Sequence, residues 1–315
     1  MDHPHLLSLF LLGLLAHAEA QGPPASGVEV GRPFEVSVNV DLVQLYATVR
    51  DRAGKFVVGL SESDFEVYED GVRQTVRLFA HEDIPVTVGL VVDHSGSMKG
   101  KLTEVTSAAR SFVRSSNPAD RMFVINFNEK VILGLPASIQ FTNRSDELEA
   151  AILRTLPMGQ TALYDATAEA LQLLGGDDRD KKVLIVISDG GDNVSKHTLT
   201  GLLNMAGQSS TLIYTIGIFD AEDPDRNPGV LRQLSQATGG EAFFPGELRN
   251  IVTVCEGIAR DIRNQYSLGY VSHNAAQPGA HRRIRVVARS AASGKLRVRA
   301  RAGYISRPVN GKGSR

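Results

Sequence analysis

The sequence predicts an α/β protein: a doubly wound, mostly parallel sheet with helices on both faces, flanked by a β-sandwich built from the two ends of the chain. Three observations predict it. Between residues 85 and 264, nearly continuous apolar runs suited to central strands alternate with stretches of helical apolar spacing. Before residue 85 and after residue 264, apolar and polar residues instead alternate with period two, as in half-buried strands. Each flank is short for a core of its own, so the two are expected to pair into one sandwich around the inserted α/β domain.

The first segment reads as a leader. Leu6 to Leu15 is apolar over the length of a signal core, and Ala18-Glu19-Ala20 fits a small-x-small cleavage site. Its start holds His3 and His5 but no Lys or Arg, and it is too short to span a bilayer. Residues 1–20 are therefore expected to be a cleaved export signal, and the mature chain to be periplasmic, envelope-associated or secreted without a transmembrane segment. Residues 21–33 form a Gly/Pro-rich lead-in. The N-terminal β segment, 34–84, holds strand-like runs at Glu35–Val40, Val43–Val49, Phe65–Tyr68 and Gln74–Phe79, with Asp70-Gly71 as a hairpin turn between the last two.

Within 85–264, strands are expected at Val86–Val92, Met122–Phe127, Val183–Ile187, Leu212–Ile218 and Glu241–Phe244. The intervening helices are expected at Leu102–Val113, Ser145–Leu153, Leu163–Leu174, Thr198–Ala206, Val230–Ala237 and Leu248–Asp261. The C-terminal β segment, 265–307, carries Gln265–Tyr270, Arg283–Ala288 and Leu296–Ala300, and 308–315 is a tail.

With 315 residues, 42% hydrophobic and 22% charged, the chain is globular. Lys and Arg number 34 against 35 Asp and Glu, so no net field favours nucleic acid. Ala280 to Arg307 is rich in Arg and lacks Asp and Glu, which reads as a solvated strand face. The single cysteine, Cys255, lies in an apolar helical stretch and is expected to be a buried structural thiol.

Three loops carry the chemistry. The strand Val86–Val92 ends in Asp93-His94-Ser95-Gly96-Ser97, and Val183–Ile187 ends in Ser188-Asp189-Gly190-Gly191-Asp192-Asn193. Between them Gly159-Gln160-Thr161-Ala162 opens a helix. Ligands of open α/β sheets collect beyond the carboxyl ends of strands, so the loops can converge. Asp93, Ser95, Ser97, Thr161 and Asp189 form a hard-oxygen set suited to Mg²⁺, Mn²⁺ or Ca²⁺ and unsuited to structural zinc. Neutral hydroxyls leave the ion's charge partly uncompensated and a position open for water or an incoming carboxylate. His94, Gly159, Gln160, Asp192 and Asn193 are candidates for the site rim, with a solvated loop the favoured reading of Asp192 and Asn193 and with His94, the variable position of the motif, expected to be exposed. Thr161 also qualifies as a helix N-cap, and Asp165, one turn on, is expected to support the loop.

Asp93-x-Ser95-x-Ser97 with Thr161 and Asp189 resembles the metal-ion-dependent adhesion site of von Willebrand factor A domains. The resemblance implies Mg²⁺ held by the two serines and the threonine, with the aspartates acting directly or through water. Gly59–Gly71, Thr161–Ala166 and Arg301–Tyr304 are similar to stretches of bacterial secreted proteins described as von Willebrand factor A-related, and the likeness spans nearly all of the mature chain. In integrin-like members the last helix shifts on ligand engagement; Leu248–Asp261 is its counterpart here.

An enzyme needs an acid, base or nucleophile beyond the metal. His94 is the only His in these loops, Ser95 is not in a Gly-x-Ser-x-Gly elbow, and no phosphate loop is present. A non-catalytic binding module is expected, with a partner Asp or Glu completing the metal shell. The alternatives are a structural envelope-associated scaffold and a metal-assisted hydrolase.

Overall fold

Leu42–Arg50 (β1) is the first element of the structure, a computed structural model that describes residues 42–219, 226–274, 279–290 and 295–306. The expected leader (1–20), lead-in (21–33), strand at Glu35–Val40 and tail (308–315) lie outside the described residues. Phe65–Glu69 (β2) and Val72–Gln74 (β3) form the expected hairpin. Its turn has positive φ at both central residues, 49° at Asp70 and 87° at Gly71, the geometry that matches strand twist and that Asp-Gly tolerates. The run expected as one strand, Gln74–Phe79, is split. β3 ends at Gln74, and Val76–Ala80 (β4) belongs to a different sheet. The chain turns a sandwich corner at Thr75, which a period-two pattern does not register.

The α/β region follows as Thr87–Asp93 (β5), Leu102–Ser115 (α1), Arg121–Phe127 (β6), Val131–Leu133 (β7), Ser145–Leu153 (α2), Leu163–Gly175 (α3) and Lys182–Ser188 (β8). Leu199–Gln208 (α4), Leu212–Gly217 (β9), Pro228–Thr238 (α5), Ala242–Phe243 (β10) and Asn250–Arg263 (α6) complete it. The strand order is β10-β9-β8-β5-β6-β7, parallel except for the last pair. All seven residues of β5 are buried, as a strand covered on both faces requires. α1, α2 and α6 pack together on one face, and α3, α4 and α5 on the other. Cys255 is buried in α6, and burial pushes its thiol up to about 12, which makes it the structural thiol expected.

Tyr266–Val271 (β11), His281–Ala288 (β12), Arg297–Arg299 (β13) and Gly303–Ile305 (β14) close the chain. The two ends interleave in both remaining sheets, whose orders are β13-β1-β11-β4 and β14-β12-β2-β3. β1 pairs antiparallel with β11, and β2 with β12. Leu45, Phe65, Val67, Tyr266, Leu268, Tyr270 and Ile284 fill the space between these sheets in a core separate from that of the α/β sheet. The edge strands β7 and β14 were not expected from sequence; each is three residues long, too short to show a period. Among the described residues no helix is long and apolar enough to cross a membrane.

Candidate metal centre

β5 and β8 are parallel neighbours in register, with Val92 opposite Ile187, so both end at the same height. Asp93, the last residue of β5, is fully buried. Its Oδ1 accepts the amide of Ser95 at 2.8 Å, which folds the loop back over the strand end. A short 3-10 turn, Gly96–Met98, then brings Ser97 round so that the hydroxyls of Ser95 and Ser97 stand 3.0 Å apart. Ser97 Oγ donates to Asp189 Oδ2 across the two strands. Four of the five expected ligands are thus linked by direct hydrogen bonds.

Thr161 comes from the third loop, which is laced to the other two by backbone bonds. Gly96 N donates to Gly159 O at 3.1 Å, and Met158 N to His94 O at 2.8 Å. Asn193 N donates to Thr161 O at 3.0 Å, while Thr161 N donates to Asn193 Oδ1 at 2.9 Å. Thr161 does not cap α3: the cap position is Ala162, and no side chain caps there. Among the described residues no hydrogen bond reaches the Thr161 hydroxyl, which keeps access to solvent. The first amides of α3 find their partners on the neighbouring loop instead. Asp192 Oδ1 accepts the amide of Tyr164 at 3.0 Å and the hydroxyl of Ser195 at 2.6 Å.

Two rim expectations change accordingly. Asp192 faces α3, and burial raises its pKa despite those bonds, so it serves the loop's shape. His94 is fully buried, not exposed. Its Nδ1 lies 3.1 Å from Val92 O and its Nε2 2.9 Å from Ile152 O, so the ring pins the Asp93–Ser97 loop to the end of α2. β5 is covered on both faces, and α2 lies over the ring, a contact that the sequence pattern does not register. Gly159 and Gln160 are exposed next to Thr161 in the chain. Asp165 supports the loop as expected: its carboxylate accepts the amides of Lys196 (3.0 Å) and His197 (2.9 Å). Burial alone would raise the Asp165 pKa, and these bonds hold it low.

Sequence reasoning missed Ser188. Its hydroxyl donates to Asp93 Oδ2 at 2.6 Å and accepts the amide of Gly190 at 3.0 Å. The signal was its position at the end of a strand in register with β5. Gly190 follows at φ 85°, and a Cβ there would stand 2.3 Å from Asn227 O, so the turn admits only glycine. Asn227 N in turn donates to Asp189 O at 2.9 Å, holding the second loop from below.

The electrostatics favour a cation. Burial, then repulsion from Asp189, pushes the Asp93 carboxyl up to about 6. Two acids placed this close are relieved by a positive charge between them. Among the described residues no cluster of three His, Cys, Asp or Glu side chains is assembled, so the candidate set is hydroxyl-rich. Hydroxyls with two carboxylates suit a hard divalent ion. The residues present therefore fit the group that the sequence implied.

Residues 88–191 match the family model of the von Willebrand factor type A domain. Among solved structures, the chain is similar to a von Willebrand factor type A protein from Catenulispora acidiphila, at TM-score 0.50 and 13% identity, covering 84% of this chain and 75% of that one. It is similar to an aerotolerance-related membrane protein from Bacteroides fragilis at TM-score 0.46 and 15% identity, covering 56% and 98%. For the von Willebrand factor domain of the type V pili tip protein Mfa5 from Porphyromonas gingivalis the values are 0.47, 15%, 57% and 95%. At these identities the likeness is one of fold. A search of curated proteins finds no match.

Proposed function

We propose that this chain, which carries a von Willebrand factor type A domain, is an exported, non-catalytic binding module. Ser95, Ser97 and Thr161 would hold a divalent cation (Mg²⁺, Mn²⁺ or Ca²⁺) with Asp93 and Asp189. A partner's Asp or Glu completes the shell. The bound ion supplies a positive centre that an acidic side chain can ligate. Everything else is the work of the protein's own residues. Asp93 is oriented by Ser188 and the Ser95 amide, Thr161 is held by Asn193, and the loop carrying Ser95 is anchored by His94.

The observation that supports this reading best is the bond from Ser97 Oγ to Asp189 Oδ2, which joins the two strand-end loops and links Asp93, Ser95, Ser97 and Asp189 into one set. Calorimetric titration of Mg²⁺ and Mn²⁺ into the mature chain, beside an Asp93→Ala/Ser95→Ala variant, tests it. Saturable heat in the parent and none in the variant is expected; equal heats in both would sink the assignment. Export is tested by sequencing the mature N-terminus, which is expected at Gln21.

A further inference from the structure

The six-stranded sheet ends on one side at β7, whose three residues Val131, Ile132 and Leu133 are all exposed. Two backbone bonds set the phase of its ladder: Asn128 N to Lys130 O at 3.1 Å, and Gly134 N to Val124 O at 2.8 Å. In an antiparallel pair the bonded and non-bonded pairs alternate. Lys130, Ile132 and Gly134 therefore turn their polar groups toward β6, and Val131 and Leu133 turn theirs outward. No hydrogen bond from the described residues reaches the N–H or C=O of Val131 or Leu133. Natural sheets usually blunt or cover such an edge; here it is apolar.

The apolar exposure continues from this edge to the metal loop. Leu153 is exposed at the end of α2, and Leu156 and Met158 follow at 73% and 61% exposure. Arg154 Nη1 donates to Gly134 O at 3.1 Å, which places the start of this segment beside β7. Met158 N donates to His94 O at 2.8 Å, which places its end on the metal loop. Ten large hydrophobic residues are exposed among those described, and six of them belong to β7 or to the 153–158 segment that leads from beside it to the Asp93–Ser97 loop. That concentration marks an interaction surface, since exposed apolar residues are otherwise scattered singly.

We propose that β7 receives an extended segment of a protein partner, which pairs with the outward groups of Val131 and Leu133 and carries an Asp or Glu to the cation. The inference rests on the metal reading above and gives its partner a chemical class: a short apolar strand followed by an acidic residue. The reach is adequate. Val131 stands opposite Phe127, and Phe127 opposite Asp93. With strands about 4.8 Å apart, an added strand lies roughly 14 Å from Asp93, a span of about four extended residues. Main-chain pairing supplies affinity, and the side chains of Val131 and Leu133 on one face, with Ile132 on the other, favour apolar residues in the partner. The cation's positive charge selects the carboxylate.

The test uses the full mature chain and a pool of short synthetic peptides. Each carries three residues drawn from Val, Ile and Leu, then a Gly/Ser spacer of two to five residues, then one Asp; a matched pool has Asn instead. Binding is followed by fluorescence polarisation with Mg²⁺ present, and the outward amides by hydrogen exchange. The Asp pool is expected to bind and to slow exchange at Val131 and Leu133. Val131→Pro, which removes only an outward donor, should weaken binding about tenfold, the loss of one backbone hydrogen bond. Leu133→Lys, at an exposed side chain, should weaken it similarly, and neither variant should change the Mg²⁺ titration. Peptide binding that is unchanged in both variants would overturn the proposal. So would the absence of any binding peptide in a chain that takes up Mg²⁺. A concentration-dependent dimer abolished by Leu133→Lys would replace the partner strand with a second copy of this chain. Failure of the metal reading shows separately, as no Mg²⁺ heat in the parent. The Asn pool then reads the edge alone: protection of Val131 and Leu133 supports edge pairing, and none overturns it.

Discussion

Thr161 and Ser188 have opposite relations to the candidate metal centre. The Thr161 hydroxyl has no protein partner among the described residues, so Thr161→Val, which keeps the shape, should leave thermal stability nearly unchanged. It should nonetheless lower the affinity measured by Mg²⁺ titration, and Thr161→Ser should restore it. Ser188 is not among the expected ligands but holds Asp93 Oδ2 at 2.6 Å. Partners of this kind orient a ligand, and removing one typically costs about 10–100-fold in metal affinity. Ser188→Ala is expected to fall in that range by the same titration. Gly190→Ala tests the backbone: at φ 85° and with Asn227 O in the way, it should destabilise the fold by about 2 kcal/mol or more in urea unfolding.

Among the elements, α6 is the one whose mobility the sequence put in question, and a buried network holds its C-terminal end. Asp261 accepts hydrogen bonds from Thr48 Oγ1 at 3.0 Å, from Tyr214 OH at 2.5 Å and from Arg299. One carboxylate thereby ties α6 to β9 of the α/β sheet and to β1 and β13 of the sandwich. Lys181 Nζ adds a bond to Ile262 O at 2.5 Å, near the end of the helix. Sliding α6 by a turn, about 5.4 Å, would break all of these. Its amide exchange is therefore expected to be the same with and without Mg²⁺, and faster exchange on adding Mg²⁺ would contradict this. Asp261→Ala should cost about 3 kcal/mol, because it takes a counter-charge from Arg299 and the acceptor from the buried Thr48 and Tyr214 hydroxyls.

Lys181 makes the same junction sensitive to pH. Burial holds its pKa down to about 8, against 10.5 for the free side chain, even though Asp261, Asp83 and Asp120 favour the charged form. Between those values the unfolded chain binds more protons than the folded one, so stability rises with pH there. Lys181→Met lacks this contribution. Relative to that variant, the parent should gain up to roughly 3 kcal/mol from pH 8 to pH 10.5 in urea titrations.

At the scale of the whole molecule, the two ends of the chain make one sandwich, and the α/β core is inserted between them. β1 has β11 and β13 as its neighbours, both from the C-terminal segment. Deleting residues 265–306 would strip both from it and bare Leu45, Val49, Phe65 and Val67; aggregation on expression is expected. With Asp261 joining the two cores, thermal unfolding followed by calorimetry should show a single transition in the parent, and Asp261→Ala should separate it into two.

Sequence alone determined the central sheet, its helices and the candidate ligands. A strand buried on both faces must be apolar throughout, and a covering helix must be apolar on one stripe, so both periods are written in the chain. Asp93, Ser95, Ser97, Thr161 and Asp189 were legible because each lies in a loop after a strand or before a helix, where open sheets gather ligands. Only the tertiary structure decided what depends on register and on which segments meet. It turned His94 inward, gave Asp192 to α3, added Ser188 behind Asp93, and divided Gln74–Phe79 between two sheets. It also put β7 at an edge of the sheet with all three of its residues exposed. These are relations between residues far apart in the chain, and local composition carries no record of the neighbour that a strand end or an edge will meet.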